Sequence, residues 1–365
     1  PSSLTHPINM FSSRTQDGWL ASRGVTSTGL LGSTDFDVKG EDHWTHTRFF
    51  ERAGKIFALH YHDHYTNSHG RMKVRQVKRD GTLGATVVES ATWRKGWTHL
   101  EIFNKNVGND TFLLLYDKNV GKIRTYRIDD TGKPVAPKIT DTDAKAGFDI
   151  VKILRLSGHD HLFRHNSTTG ETHVRALNAN GSWGDVVYEK DWKKGFTTYE
   201  FYQTGNGKTY LLRYSPISGR ANILRFSGTV AGLDTSTPVL DKIWSKDWGI
   251  MRFFRTEKGT FNFRYNAKTG TARIEAINSN GSFAGDYWEN GPTWLQTRKA
   301  FSAFDPQRTG WTTVEFYSAK VSASSSPTLP IADETIPARA SSDNDDSALS
   351  PTRPPSHPRL GVCLT

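Results

Sequence analysis

Along this chain an aromatic residue repeatedly opens a short alternating run. A charge follows four positions later, and two bulky residues follow the charge. The openers are Trp44, Trp97, Phe148, Phe196, Trp248 and Trp311, and the charges are Arg48, Glu101, Lys152, Glu200, Arg252 and Glu315. A polar turn leads to a second run, which ends at Tyr61, Tyr116, His165, Tyr214 or Tyr265. A glycine then closes a loop (Gly70, Gly121, Gly170, Gly219, Gly270), a third alternating run ends at a tight turn, and a weaker fourth run returns to the next aromatic. Alternation of this kind predicts half-buried strands. Four strands recurring at a period of roughly fifty residues predict the blades of a propeller.

The sixth copy is split between the chain ends. Asn9–Ser13 stands where a second strand belongs, Gly18 is its turn glycine, and Trp19–Val25 is its third strand. Its missing first strand is residues 311–317, at the other end of the sequence. A C-terminal strand that completes an N-terminal blade closes a ring and leaves few exposed edges. The expected fold is therefore all-β: a six-bladed β-propeller of four-stranded blades over residues 8–318, closed by strand 311–317. Residues 319–365 are rich in Ser, Pro and Asp without periodicity and are expected to be a disordered tail.

Most repeat residues have structural work to do. The opening aromatics are expected between neighbouring blades, and the turn glycines at positive φ. In ring order the first-strand charges alternate in sign, and an even number of blades lets the alternation close. They are expected to form a collar of ion pairs around the axis. The net charge of +10 is spread over turns such as 93–96 and 192–195, and no nucleic-acid motif accompanies it. No apolar run is long enough to span a membrane. The single cysteine, Cys363, excludes an internal disulfide and a CxxC metal site. Sequons at Asn109, Asn166, Asn180 and Asn280 fall in predicted turns, and the chain opens with Pro1 rather than Met. Both point to the secretory pathway.

Function is sought where the copies disagree. The loop after Tyr61 is four residues longer than its counterparts and rich in histidine, His62-Asp-His64-Tyr-Thr-Asn-Ser-His69. A second insertion, Glu289 to Phe304, precedes the last first strand and carries Trp294, Arg298, Phe301 and Phe304. Both belong to the face on which first strands begin, flanking the split blade, so they are expected to meet as a lid over the axis. Beneath it, His46, His62, His99 and Asp149 form the expected acid–base set, because imidazole titrates near neutral pH and a carboxylate can hold its tautomer. Tyr61, His64, Tyr116, Arg164, His165, Tyr214 and Tyr265, with Trp294, Arg298 and Phe301 from the lid, are expected to contact substrate. His60-Tyr-His62-Asp-His64 could place three imidazoles on one strand face, but no further ligand is identified, so no metal is expected. No cofactor motif occurs, and no nucleophile elbow supports a hydrolytic triad.

The six-fold plan with split-blade closure resembles fungal six-bladed propellers over nearly all of residues 8–318. Fucose-binding propeller lectins repeat an Arg, a Glu and an aromatic in most blades. The third positions after the turn glycines here are Ala21, Lys73, Arg124, His173, Asn222 and Arg273, and the fifth are Arg23, Arg75, Tyr126, Arg175, Leu224 and Glu275, so no such triple recurs. The asymmetry more nearly resembles the cofactor-free propeller hetero-Diels–Alderases of tropolone–sesquiterpenoid pathways. That resemblance implies one pocket, dehydration of a hydroxymethyl tropolone to a quinone methide, and cycloaddition to an apolar polyene. The expected partners are small apolar or aromatic substrates, with a glycan as the alternative, a protein-interaction scaffold third, and neither nucleic acid nor membrane.

Overall fold

The computed structural model describes residues 8–26, 29, 31–40, 43–78, 80–104, 110–233, 237–284 and 311–318. In the first blade, β1 (Ile8–Arg14), β2 (Trp19–Val25) and β3 (Leu31–Lys39) are joined by β23 (Thr313–Ser318). β23 pairs antiparallel with β1, Phe11 opposite Glu315, so the two ends of the propeller share one sheet. The second blade is β4 (His46–Arg52), β5 (Lys55–His62), β6 (His69–Val77) and β7 (Leu83–Arg94). The third is β8 (His99–Asn104), β9 (Thr111–Asp117), β10 (Lys122–Ile128) and β11 (Pro134–Asp143). The fourth is β12 (Ile150–Leu156), β13 (His159–His165), β14 (Glu171–Leu177) and β15 (Trp183–Asp191). The fifth is β16 (Thr198–Gln203), β17 (Thr209–Tyr214), β18 (Arg220–Phe226) and β19 (Thr237–Ile243), with a 3-10 turn at Ala231–Leu233. The sixth has three described strands, β20 (Ile250–Thr256), β21 (Gly259–Asn266) and β22 (Thr271–Ile277). The inner strands β23, β4, β8, β12, β16 and β20 each touch the next, and β20 touches β23, which closes the ring. The chain is a six-bladed β-propeller.

The opening aromatics hold the blades together. Trp97 packs with Phe50, Tyr61 and Met72, Trp248 with Tyr214 and Met251, and Trp311 with Ile250 and Tyr265. All six are buried, and each belongs to a cluster drawn from two neighbouring blades. Three tyrosines clamp the same seams with their hydroxyls. Tyr61 donates toward Arg94 O (3.0 Å), Tyr116 to Lys145 O (2.8 Å) and Tyr214 to Ser245 O (2.7 Å). Each acceptor lies just ahead of the next opening aromatic, so the bond fixes the path on which one blade leads into the next.

The expected positive φ holds at Gly121 (73°) and Gly219 (74°). Gly70 is an exception. The longer loop completes its turn earlier, Gly70 falls inside β6, and a Cβ there would lie 2.8 Å from the Tyr61 ring. Space rather than backbone conformation requires that glycine. The sequons at Asn166, Asn180 and Asn280 lie at turns, where each side-chain carbonyl accepts a backbone N–H two residues on. Asn109, the 289–304 insertion with Trp294, Arg298, Phe301 and Phe304, and the 319–365 tail lie outside the described residues. Among the described residues no helix is long and apolar enough to cross a membrane.

Candidate functional site at the propeller axis

The collar forms and is open at one link. Glu315 accepts from Arg48 at 2.7 Å and lies 3.4 Å from Arg252. Glu200 accepts from Arg252 (2.7 Å) and from Lys152 (2.8 Å), and Arg48 reaches Glu101 at 3.3 Å. Among the described residues Glu101 and Lys152 do not pair. Burial opposes ionisation of Glu200, but Lys152 and Arg252 outweigh it and hold the carboxyl below its ordinary value. The collar lines an axial cavity of about 240 Å³ with Phe49, Ile102, Ile153 and Phe201. Three cations and three carboxylates give it no formal net charge, which suits a structural ring.

The residue two before each collar charge starts an inner strand at the loop-side mouth: His46, His99, Ile150, Thr198, Ile250 and Thr313. Two imidazoles therefore stand on adjacent blades above Arg48. His46 is held down to about 3, by burial first and then by the charge of Arg48. Burial likewise holds His99 down to about 4. Both are neutral at physiological pH. His99 Nε2 lies 3.0 Å from the Asp149 backbone carbonyl, which fixes the Nε2–H tautomer, while Nδ1 faces Thr98 Oγ1 at 3.0 Å. A backbone carbonyl thus does what the sequence assigned to a carboxylate. The Asp149 carboxylate instead accepts from Ser167 N (2.8 Å) and Ser167 Oγ (2.5 Å). His46 stacks on Tyr61 with centroids 6.1 Å apart, and a hydrogen bond with the Trp97 backbone partly offsets the burial of its ring.

The other candidates are dispersed. Tyr61, Tyr116, Tyr214 and Tyr265 are buried in the seams, because their positions alternate inward from the blade surface. His165 is fully buried between Thr172 Oγ1 (2.8 Å) and Tyr199 OH (3.0 Å). Arg164 is 2% exposed, with its guanidinium 4.3 Å from the Phe148 ring centroid and 5.4 Å from that of Trp183. It belongs to the packing rather than to the mouth. His62 lies at the rim, 6.3 Å from His43, and His64 is exposed in the turn beyond β5 beside Asp63 (2.9 Å). Because the strand ends at His62, the alternation that would gather His60, His62 and His64 is broken. The one set of metal-type ligands within reach of one another among the described residues is Glu171, His173 and Glu189, where Lys145 already occupies Glu171 at 2.6 Å.

On the opposite face the axis opens into a cavity of about 360 Å³ that the sequence did not reveal. Ile153, Phe201, Tyr202, Phe253 and Phe254 line it, with Arg155, Gln203 and Arg255 among the residues around it. Tyr202 and Phe253 stack at 3.9 Å. Ile153 and Phe201 also border the collar cavity, so the two spaces adjoin. These residues are the ordinary bulky pair of the repeat, and no motif marks them.

No family model matches the chain, and no curated protein matches it in sequence. Solved structures match in shape. A candidate 6-phosphogluconolactonase from Bacteroides fragilis superposes with a TM-score of 0.55 at 11% identity, over 87% of this chain and 100% of that one. The periplasmic gluconolactonase of Pseudomonas aeruginosa gives 0.51 at 13% identity, over 83% and 81%. A candidate 6-phosphogluconolactonase from Bacteroides uniformis gives 0.50 at 13% identity, over 85% of each chain. At such identities the likeness is one of fold.

Proposed function

We propose that this propeller is a cofactor-independent enzyme acting on small molecules at the loop-side mouth of its axis. The observation that carries the reading is the pair of neutral imidazoles, His46 and His99, on adjacent blades above Arg48. A neutral imidazole can pass a proton from one oxygen to another, and the Asp149 carbonyl holds His99 in place on the next blade. The reaction that suits this set is dehydration of a hydroxymethyl tropolone or phenol. The ring O–H proton passes to His46, the benzylic C–O bond breaks, and the departing hydroxide takes that proton back from His46 and leaves as water. The quinone methide left behind adds to an alkene held beside it, which needs no oxidant or reductant. Holding the two reactants in register contributes on the order of 7–11 kcal/mol in well-oriented cases. The test is adduct formation from a hydroxymethyl tropolone and an apolar polyene, followed by mass-resolved chromatography. Adduct above the uncatalysed rate, lost on His46→Ala in a folded protein, supports the reading. An uncatalysed rate with the parent protein overturns it.

A glycan-binding reading has one observation in its favour. Arg264 pairs with Glu275 beneath Trp244 and Trp248, whose ring centroids lie 4.5 and 5.2 Å from the guanidinium. The cluster is buried and occurs in one blade, where Arg175 and Leu224 replace the glutamate at the matching positions of others. A glycan array on the purified chain separates the readings, since sugar binding lost on Glu275→Gln would favour the lectin.

A further inference from the structure

The seam between the first and second blades holds a cavity of about 270 Å³, away from the axial mouth. A difference in side-chain length from three other blades contributes to it. Register aligns His60 of β5 with Arg164, Arg213 and Arg264, each opposite the third residue after its turn glycine. In those three blades a guanidinium fills the space against aromatic rings. His60 is shorter, and the volume stays open beside Trp44, whose ring lies 5.2 Å from the imidazole.

The cavity is lined by Lys39, Lys73 and Arg75, and no Asp or Glu is among its lining residues. Arg75 bonds backbone carbonyls, Gly84 O at 3.1 Å and Leu83 O at 3.3 Å, rather than a carboxylate. Glu89 lies 3.4 Å from Lys73 but also binds Arg71. His60 is 1% exposed, and its Nδ1 meets Thr47 Oγ1 at 3.0 Å while the buried Nε2 has no hydrogen-bond partner. A buried ring nitrogen bordering an open space is costly unless something there meets it. If Thr47 donates to Nδ1, Nε2 carries the proton and offers it to the cavity. Burial, then the charges of Arg75 and Lys73, hold His60 down to about 3.

We propose that this seam binds a small single-ring organic anion. Lys39, Lys73 and Arg75 take its carboxylate, sulfate or phosphate head, His60 Nε2–H donates to it, and Trp44 flanks its ring. The volume lies near the lower end of small-molecule pockets, about 300–1,000 Å³, so one ring fits and an oligomer does not. The experiment is calorimetric titration at low ionic strength with glucuronate, galactose 6-sulfate, glucose 6-phosphate and benzoate, beside neutral glucose and inorganic phosphate. At least one organic anion should bind at least tenfold more tightly than glucose and inorganic phosphate. Arg75→Gln and His60→Arg, the latter refilling the space as in the other blades, should each weaken it about tenfold. Arg213→Gln, in another seam, should not. If His60→Arg fails to fold, Lys39→Gln, at an exposed position, should still weaken binding about threefold. No binding above glucose, equal binding of inorganic phosphate, or equal binding to the parent, Lys39→Gln and Arg75→Gln proteins would overturn the assignment.

Discussion

At the loop-side mouth two inner strands begin with His46 and His99; at the opposite mouth two others run past Phe201, Tyr202, Phe253 and Phe254. The first mouth carries titratable groups, and the second is an aromatic chamber with Arg155 and Arg255 beside it. Between them the collar is nearly regular. The contrast shows where a repeat is free to vary. Collar and seam positions each answer to two neighbouring blades, and a change in one strands a partner in the next. A strand's first residue stands at the mouth outside the collar and can take up chemistry in one or two blades alone.

Acid should separate the mouths most strongly. An unfolded histidine takes its proton near 6.5, whereas folded His46 and His60 do so at about 3 and His99 and His165 at about 4. Between those values the unfolded chain binds more protons, so stability should be flat above pH 6.5 and fall steadily below it. Glu200, held below its usual 4.5, adds a further loss under that pH. Hydrogen exchange at pH 4 to 5 should quicken first around β4, β8 and β13. Uniform quickening would place the acid response elsewhere.

Catalysis comes next. His46→Ala should lower turnover by about 10²–10⁴-fold, the usual contribution of a positioned acid–base group, with little change in melting temperature. Phe253→Ala should leave turnover within about twofold. The reverse pattern would move the chemistry to the aromatic chamber.

The collar supports both mouths. Glu200→Gln removes the shared acceptor of Lys152 and Arg252 and should cost about 3–5 kcal/mol in denaturant unfolding, because Lys152 is left without a carboxylate partner among the described residues and Arg252 keeps only Glu315 at 3.4 Å. Phe253→Ala should cost less, about 2 kcal/mol, through the lost stack on Tyr202 and partial burial. Tyr214→Phe should cost least, about 1 kcal/mol, because it removes one hydrogen bond to Ser245 O.

The parts legible in sequence are those that repetition amplifies. Six aromatics at one phase predict six seams, and alternating charges at one phase predict the collar. The open link at Glu101 and Lys152 was not legible, because it depends on reach in three dimensions rather than on sign. Arg164 and His165 read as mouth residues because the register places them at a strand end; their neighbours Phe148, Trp183 and Tyr199 come from other strands and bury them. His60 drew notice as one of three alternating histidines. Its cavity lies where an imidazole stands at a position that three other blades fill with arginine, against β3 and Trp44. The aromatic chamber left no trace, because every copy carries a bulky apolar residue where Phe201 and Phe253 stand.

The central claim is that small molecules are handled at the His46 mouth. The direct measurement is ¹⁵N NMR of the imidazoles during titration with tropolone, with His46→Gln and His99→Gln supplying the assignments. The account predicts saturable shifts of the His46 and His99 ring nitrogens, with His165 unmoved in its buried bonds. Tropolone binding that leaves His46 and His99 unmoved while perturbing Phe253 and Tyr202 would contradict it.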